Sequence, residues 1–155
     1  MAWTTSGLYA ATWVDALDAT RCLLDLSLTT HKVAVYTGGT PNFHGNGDTA
    51  YTTTNEVVGA GYTAGGLVLT GLSPAISDVG NVAIIKYTHT AASWATATMA
   101  GCVGAIWYAD ANTAGNGVAD ALIVGINFGG TYTSTAGTFT ITPSGSGIFT
   151  ITVGN

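Results

Sequence analysis

Residues 138–142 and 149–153 each alternate strictly between threonine and large apolar side chains. Phe139 and Ile141 alternate with Thr138, Thr140 and Thr142, and Phe149, Ile151 and Val153 alternate with Thr150 and Thr152. A period of two belongs to a strand with one buried face, and a helix cannot present it. Pro143-Ser-Gly-Ser-Gly147 separates the runs, so the segment reads as a hairpin with an apolar face and a threonine face. Threonine favours strands, and Thr–Thr pairs across strands contribute a few tenths of a kcal/mol each, so the threonine stripe is sheet chemistry first.

The same texture runs back to His31. Lys32 to Thr37, Leu67 to Thr70, Asn81 to Thr88, Met99 to Tyr108 and Ala121 to Phe128 are short β-rich runs between Gly, Asn and Pro breaks. Only residues 8–26 read differently. Tyr9, Trp13, Leu17 and Leu24 recur at helical spacing, with no proline to interrupt them. The expected fold is all-β, a β-sandwich or small barrel with one N-terminal α-helix, over residues 1–155 as a single domain. The helix is expected at about 8–26 and the β domain at about 31–153. A polar stretch from Thr40 to Asn55 reads as a long loop.

Composition narrows the function. Charged residues are 7% of the 155, against about 25% in a typical soluble domain. Neutral surface of this kind suits a subunit packed into an assembly, because a hydroxyl is easier to desolvate than a charge. Arg21, Lys32 and Lys86 are the basic residues. Nucleic-acid and anionic-membrane binding need clustered Lys and Arg, so neither partner is expected. No run of 18 apolar residues and no basic-then-apolar leader occurs, so neither a helical membrane span nor a secretory signal is expected. Cys22 and Cys102 read as buried, reduced thiols.

Chemical motifs are few. Gly59-Ala-Gly61-Tyr-Thr-Ala64 fits the dinucleotide pattern G-x-G-x-x-A, but a Gly-Gly-Leu-Val-Leu strand follows where the motif needs a helix. It reads as a glycine turn. Asp110-Ala-Asn112-Thr-Ala-Gly115 opens like a calcium loop, but Ala114 and Ala121 stand where ligands are required. His31, His44 and His89 lack metal-site spacing and read as solvated or interface side chains. No nucleophile elbow and no spaced acid pair appears, so no catalysis and no cofactor is expected. Trp94, in a polar stretch between expected strands, belongs either to the core or to an interface.

Several stretches in order resemble one family. They are Thr30-His-Lys-Val-Ala-Val-Tyr-Thr-Gly-Gly-Thr-Pro41-Asn-Phe43, then Asn55-Glu-Val-Val-Gly-Ala-Gly-Tyr-Thr-Ala-Gly-Gly-Leu-Val-Leu-Thr70, Ile106-Trp-Tyr-Ala-Asp110, and Asn127 to Phe139. Together they resemble small virion structural proteins of tailed bacteriophages, especially those infecting actinobacteria. The segment from Asn55 to Gly66 is the most specific part. Between Ala50 and Asn55 the chain is shorter than such relatives, which carry a Gly/Pro-containing insertion there. The resemblance implies a capsid decoration (cement) protein that binds the outer surface of the head. Its partners would be the major capsid protein and its own copies, as a trimer. It would reside on the virion, assembled in the host cytoplasm. Tail or baseplate location is the alternative. A virion carbohydrate-binding module is a third, resting on Trp94, Trp107 and Tyr108. Candidate interface residues are Trp3, Tyr9, Phe43, His44, Tyr51 and Trp94.

Overall fold

The computed structural model describes residues 5–18, 24–38, 50–79, 82–110 and 118–153. Their elements are β1 (Gly7–Leu8), α1 (Ala10–Asp18), β2 (Lys32–Tyr36), β3 (Leu67–Val68), β4 (Ser73–Val79), β5 (Val82–Thr88), β6 (Ala92–Ala109), β7 (Ala121–Ile141) and β8 (Phe149–Val153). Two antiparallel sheets result. The first is five-stranded in the order β1-β7-β6-β2-β3, and the second is three-stranded in the order β4-β5-β8. The all-β sandwich with one N-terminal helix is the architecture observed.

The helix is shorter than its expected 8–26. Residues 19–23 lie outside the described residues, and residues 24–26 are not helical. Asp25 supplies one reason: its carboxylate accepts from the Ser27 backbone N–H at 2.9 Å and the Ser27 hydroxyl at 2.6 Å. Such an Asx turn offers the backbone an alternative to the helix. Asp15 also sits in the last turn of α1, where the macrodipole disfavours negative charge. A nine-residue helix depends on packing rather than propensity. Here the Trp13 indole N–H donates to the Ile123 carbonyl at 3.1 Å, and its ring meets Phe149 edge-on at 5.4 Å.

The centre of the first sheet is buried on both faces. Val33, Val35, Ala105, Trp107 and Ile123 point into the core between the sheets. Ala34, Tyr36, Ile106, Tyr108 and Leu122 point the other way, into a second cluster with Tyr9. That double burial explains why Gly104 to Ala109 shows no exposed alternation. The outer halves of β6 and β7 leave this plane. The ribbon bends so far that Phe128 and Phe139, on the same strand, bring their rings to 6.2 Å. Gly101 and Gly129, both at φ +73°, fall where the register between the strands shifts.

The expected hairpin of residues 138–153 is corrected. The two runs are strands, with Phe139, Ile141, Phe149 and Ile151 half-buried and the intervening threonines exposed. They do not pair with each other. β7 ends against β6, with Ala92 opposite Ile141, whereas β8 pairs with β5 in the other sheet. The linking turn is captured by β5: Ile148 N–H donates to the Tyr87 carbonyl at 2.8 Å, and Lys86 Nζ donates to the Gly145 carbonyl at 2.5 Å. Two further differences concern strand limits. Trp94 lies inside β6 rather than between strands, and Ser73–Val79 forms an edge strand despite Pro74, as edges permit.

Candidate functional site

The segment from Asn55 to Gly66 seals the free edge of β2. Thr37 N–H donates to the Asn55 carbonyl at 2.8 Å and Val57 N–H to the Val35 carbonyl at 2.9 Å. Asn55 reaches this position at φ +63°, a conformation asparagine tolerates. Gly59 then passes so near β6 that a Cβ there would lie 1.8 Å from the Thr98 carbonyl oxygen. Gly66, at φ +72°, lies as close to β2: a Cβ would be 1.9 Å from the Val33 carbonyl oxygen. The dinucleotide-like glycines therefore serve close backbone approach in a turn, with no helix after them.

Glu56 is the centre of this segment, at 7% exposure. Its carboxylate accepts from the Tyr51 hydroxyl at 2.5 Å, the Tyr62 hydroxyl at 2.6 Å and the Gly65 N–H at 2.8 Å. Tyr62 Oη in turn accepts from the Val35 N–H at 3.0 Å, and the Tyr108 hydroxyl donates to the Gly65 carbonyl at 2.7 Å. The Tyr51 and Tyr108 rings stack at 4.6 Å. Burial first, and then the bond to Glu56, push the Tyr51 and Tyr62 phenols up, so both remain protonated donors. A carboxylate with three donors is already engaged by the protein. The arrangement fastens a loop; it does not present a reactive group.

The other side of the sheet differs. β1 covers β7 at Val124 and Gly125, and the Ser6 hydroxyl accepts from the Asn127 N–H at 2.9 Å. Beyond Asn127, no described strand lies against the outer edge of β7. Residues 121–155 contain no Asp, Glu, Lys, Arg or His. Inside the bend of β7 an open groove of about 340 Å³ is lined by Ile126, Phe128, Tyr132, Phe139 and Ile141, among others. Tyr132 is 53% exposed. On the second sheet Ile76 stands opposite Ile85, and Ile85 opposite Ile151. Ile76 is exposed, although this row continues the face on which Tyr87 is buried.

Of the six expected interface residues, Tyr9, Tyr51 and Trp94 are among the described residues. Trp3, Phe43 and His44 lie outside the described residues. Tyr9 is fully buried and Trp94 nearly so, its ring packed against Tyr62 and Phe139. Tyr51 is half-buried and spends its hydroxyl on Glu56. The histidines also differ from expectation: His31 and His89 are buried. Cys102 is a buried free thiol, pushed up by burial, and Cys22 lies outside the described residues. Asp110 holds Lys32 at 2.7 Å, and the calcium-like stretch beyond it lies outside the described residues. Among the described residues no three His, Cys, Asp or Glu side chains converge as a metal site requires. Sequence reasoning missed the β7 edge because it ranked aromatic residues. The signal that marks it is the absence of charge after Asp120.

The chain matches no protein-family model, no curated protein and no solved structure.

Proposed function

We propose that this protein is a structural subunit of a tailed-phage virion, a decoration protein that binds the outer surface of the head. It would pack against the major capsid protein and further copies of itself around a symmetry axis. The ordered resemblance described above supports the virion assignment. The observation that carries the structural role is the β7 edge. Free-standing β proteins guard an open edge with charge, proline, bulges or a short strand, and of these β7 has only the bulges of its bend. Here the edge belongs to a 21-residue strand with no charged residue and no proline. Such an edge invites a neighbouring chain to cover it, and an uncharged groove beside it loses little on desolvation.

The test is binding to shells assembled from the major capsid protein, followed by co-sedimentation and cryo-EM. Density on the shell that vanishes with Thr133→Lys and Thr135→Lys supports the reading. Density only along the tail or at its tip moves the protein to the tail, with the structural role intact. Undiminished shell binding by the lysine variant removes the β7 edge from the interface. The carbohydrate-binding alternative loses its footing, since Trp94, Trp107 and Tyr108 are 3%, 0% and 1% exposed and offer no ring face to a sugar.

A further inference from the structure

Two buried histidines join the sheets reciprocally. His31 immediately precedes β2 in the first sheet, and its Nδ1 lies 3.2 Å from the Tyr87 hydroxyl on β5 of the second. His89 immediately follows β5, and its Nε2 lies 2.8 Å from the Trp107 indole nitrogen on β6 of the first. Each sheet thus contributes one imidazole and one aromatic partner. His31, Tyr87 and Trp107 are 0% exposed and His89 is 5% exposed.

The geometry fixes the tautomer of His89. An indole N–H only donates, so Nε2 must be the unprotonated, accepting nitrogen. Nδ1 then carries the proton and donates to the Thr90 carbonyl at 2.5 Å. A second proton would sit on Nε2, pointing at the Trp107 N–H, and would place a charge between the sheets. We propose that this pair is an acid-released clamp, which holds the two sheets closed at neutral pH and lets the β4-β5-β8 sheet separate from the other when the imidazoles protonate.

The surroundings agree with that direction. Burial lowers the His89 pKa, with the Thr90 carbonyl opposing, and no charged group among the described residues contributes to the shift. Burial also lowers that of His31, against the opposing pull of the Asp25 carboxylate in the turn before β2. Tyr87 faces His31 from β5, and burial pushes its phenol up, so it stays neutral throughout. The neighbouring cation, Lys32, is held by Asp110 at 2.7 Å. For a group whose folded pKa is depressed, the stabilisation is complete above the unfolded value, about 6.5 for histidine, and is lost as pH falls from there through the folded pKa. Separation would expose Tyr87, Trp107 and Phe149, so the acid form presents apolar surface that the neutral form hides.

The experiment follows amide hydrogen exchange strand by strand in the full chain from about pH 7.5 to about pH 4.5, corrected for intrinsic rates, with NMR titration of the imidazole Cε1–H signals. The expected result is an acid transition in which β5 and β8 lose protection by about tenfold or more while the inner halves of β6 and β7 keep theirs. His31 and His89 should titrate below the ordinary histidine range, in step with that loss. Substitution of both by glutamine should abolish the transition. The proposal is overturned if both sheets lose protection at one pH, if either imidazole titrates near 6.5 in the closed protein, or if the double variant opens at the same pH as the parent. Should that variant not fold, the titration and exchange of the unsubstituted chain decide alone.

Discussion

The β2 side and the β7 side bound the same sheet and are finished in opposite ways. Along β2, β3 covers Lys32 and Val33, and the Asn55–Gly66 segment covers the rest with backbone pairing and a buried carboxylate. Along β7, coverage stops near Asn127, and the strand continues to Ile141 with one paired edge among the described residues. The first edge is closed by the chain's own atoms. The second has no covering strand among the described residues. A motif that looks functional because it is distinctive can be spent on the fold, while the proposed interaction surface is marked by what it lacks.

The sharpest way to break the contrast is to open the closed edge. Glu56→Ala strands the Tyr51 and Tyr62 hydroxyls and the Gly65 N–H, and we expect it to cost about 3 kcal/mol in urea denaturation, given the strength of bonds to a charged group. Tyr62→Phe in the same background should add much less than it does alone, because the two share one network. Gly59→Ala comes next. Its methyl would collide with the Thr98 carbonyl, so the loop must lift, at about 2 kcal/mol by the scale of overpacking. Trp107→Phe removes the bond to His89 and leaves a small cavity at a fully buried position, which together should cost about 2 kcal/mol at neutral pH. The smallest effect belongs to the open edge. Thr133→Lys with Thr135→Lys should change stability by about 0.5 kcal/mol or less, since both side chains are exposed and only the long 3.5 Å bond from the Gly101 N–H to Thr133 is lost, while abolishing the proposed attachment to shells. A large loss of stability there would mean that the edge is already covered within the chain.

How much of this was legible depends on what a pattern encodes. Alternation of apolar and polar residues reports which face of a strand is buried, and for Phe139, Ile141, Phe149 and Ile151 that reading holds. It does not report the partner strand. Proximity in sequence favoured a hairpin, but the Tyr87 carbonyl and Lys86 capture the link and draw β8 into the other sheet. Trp94 shows the same limit: its small and polar neighbours look like a loop, yet Ser93 and Ala95 are exposed strand positions that alternate with buried Ala92 and Trp94. Glu56 could not be read as buried at all, because its three donors come from residues placed around it only by the folded loop.

By itself, then, the sequence determined the β character, the faces of the terminal strands, the front helix and the scarcity of charge. Those are local or additive properties, set by side-chain type and spacing. The tertiary structure decided which strands pair, that Glu56 and the tyrosines form one fastening, that His31 and His89 bridge the sheets, and which edge is left open. The Glu56 fastening closes over five, six and nine positions once the loop has folded, whereas the strand pairs and the histidine bridges join residues that only the packing of strands and sheets brings within bonding distance.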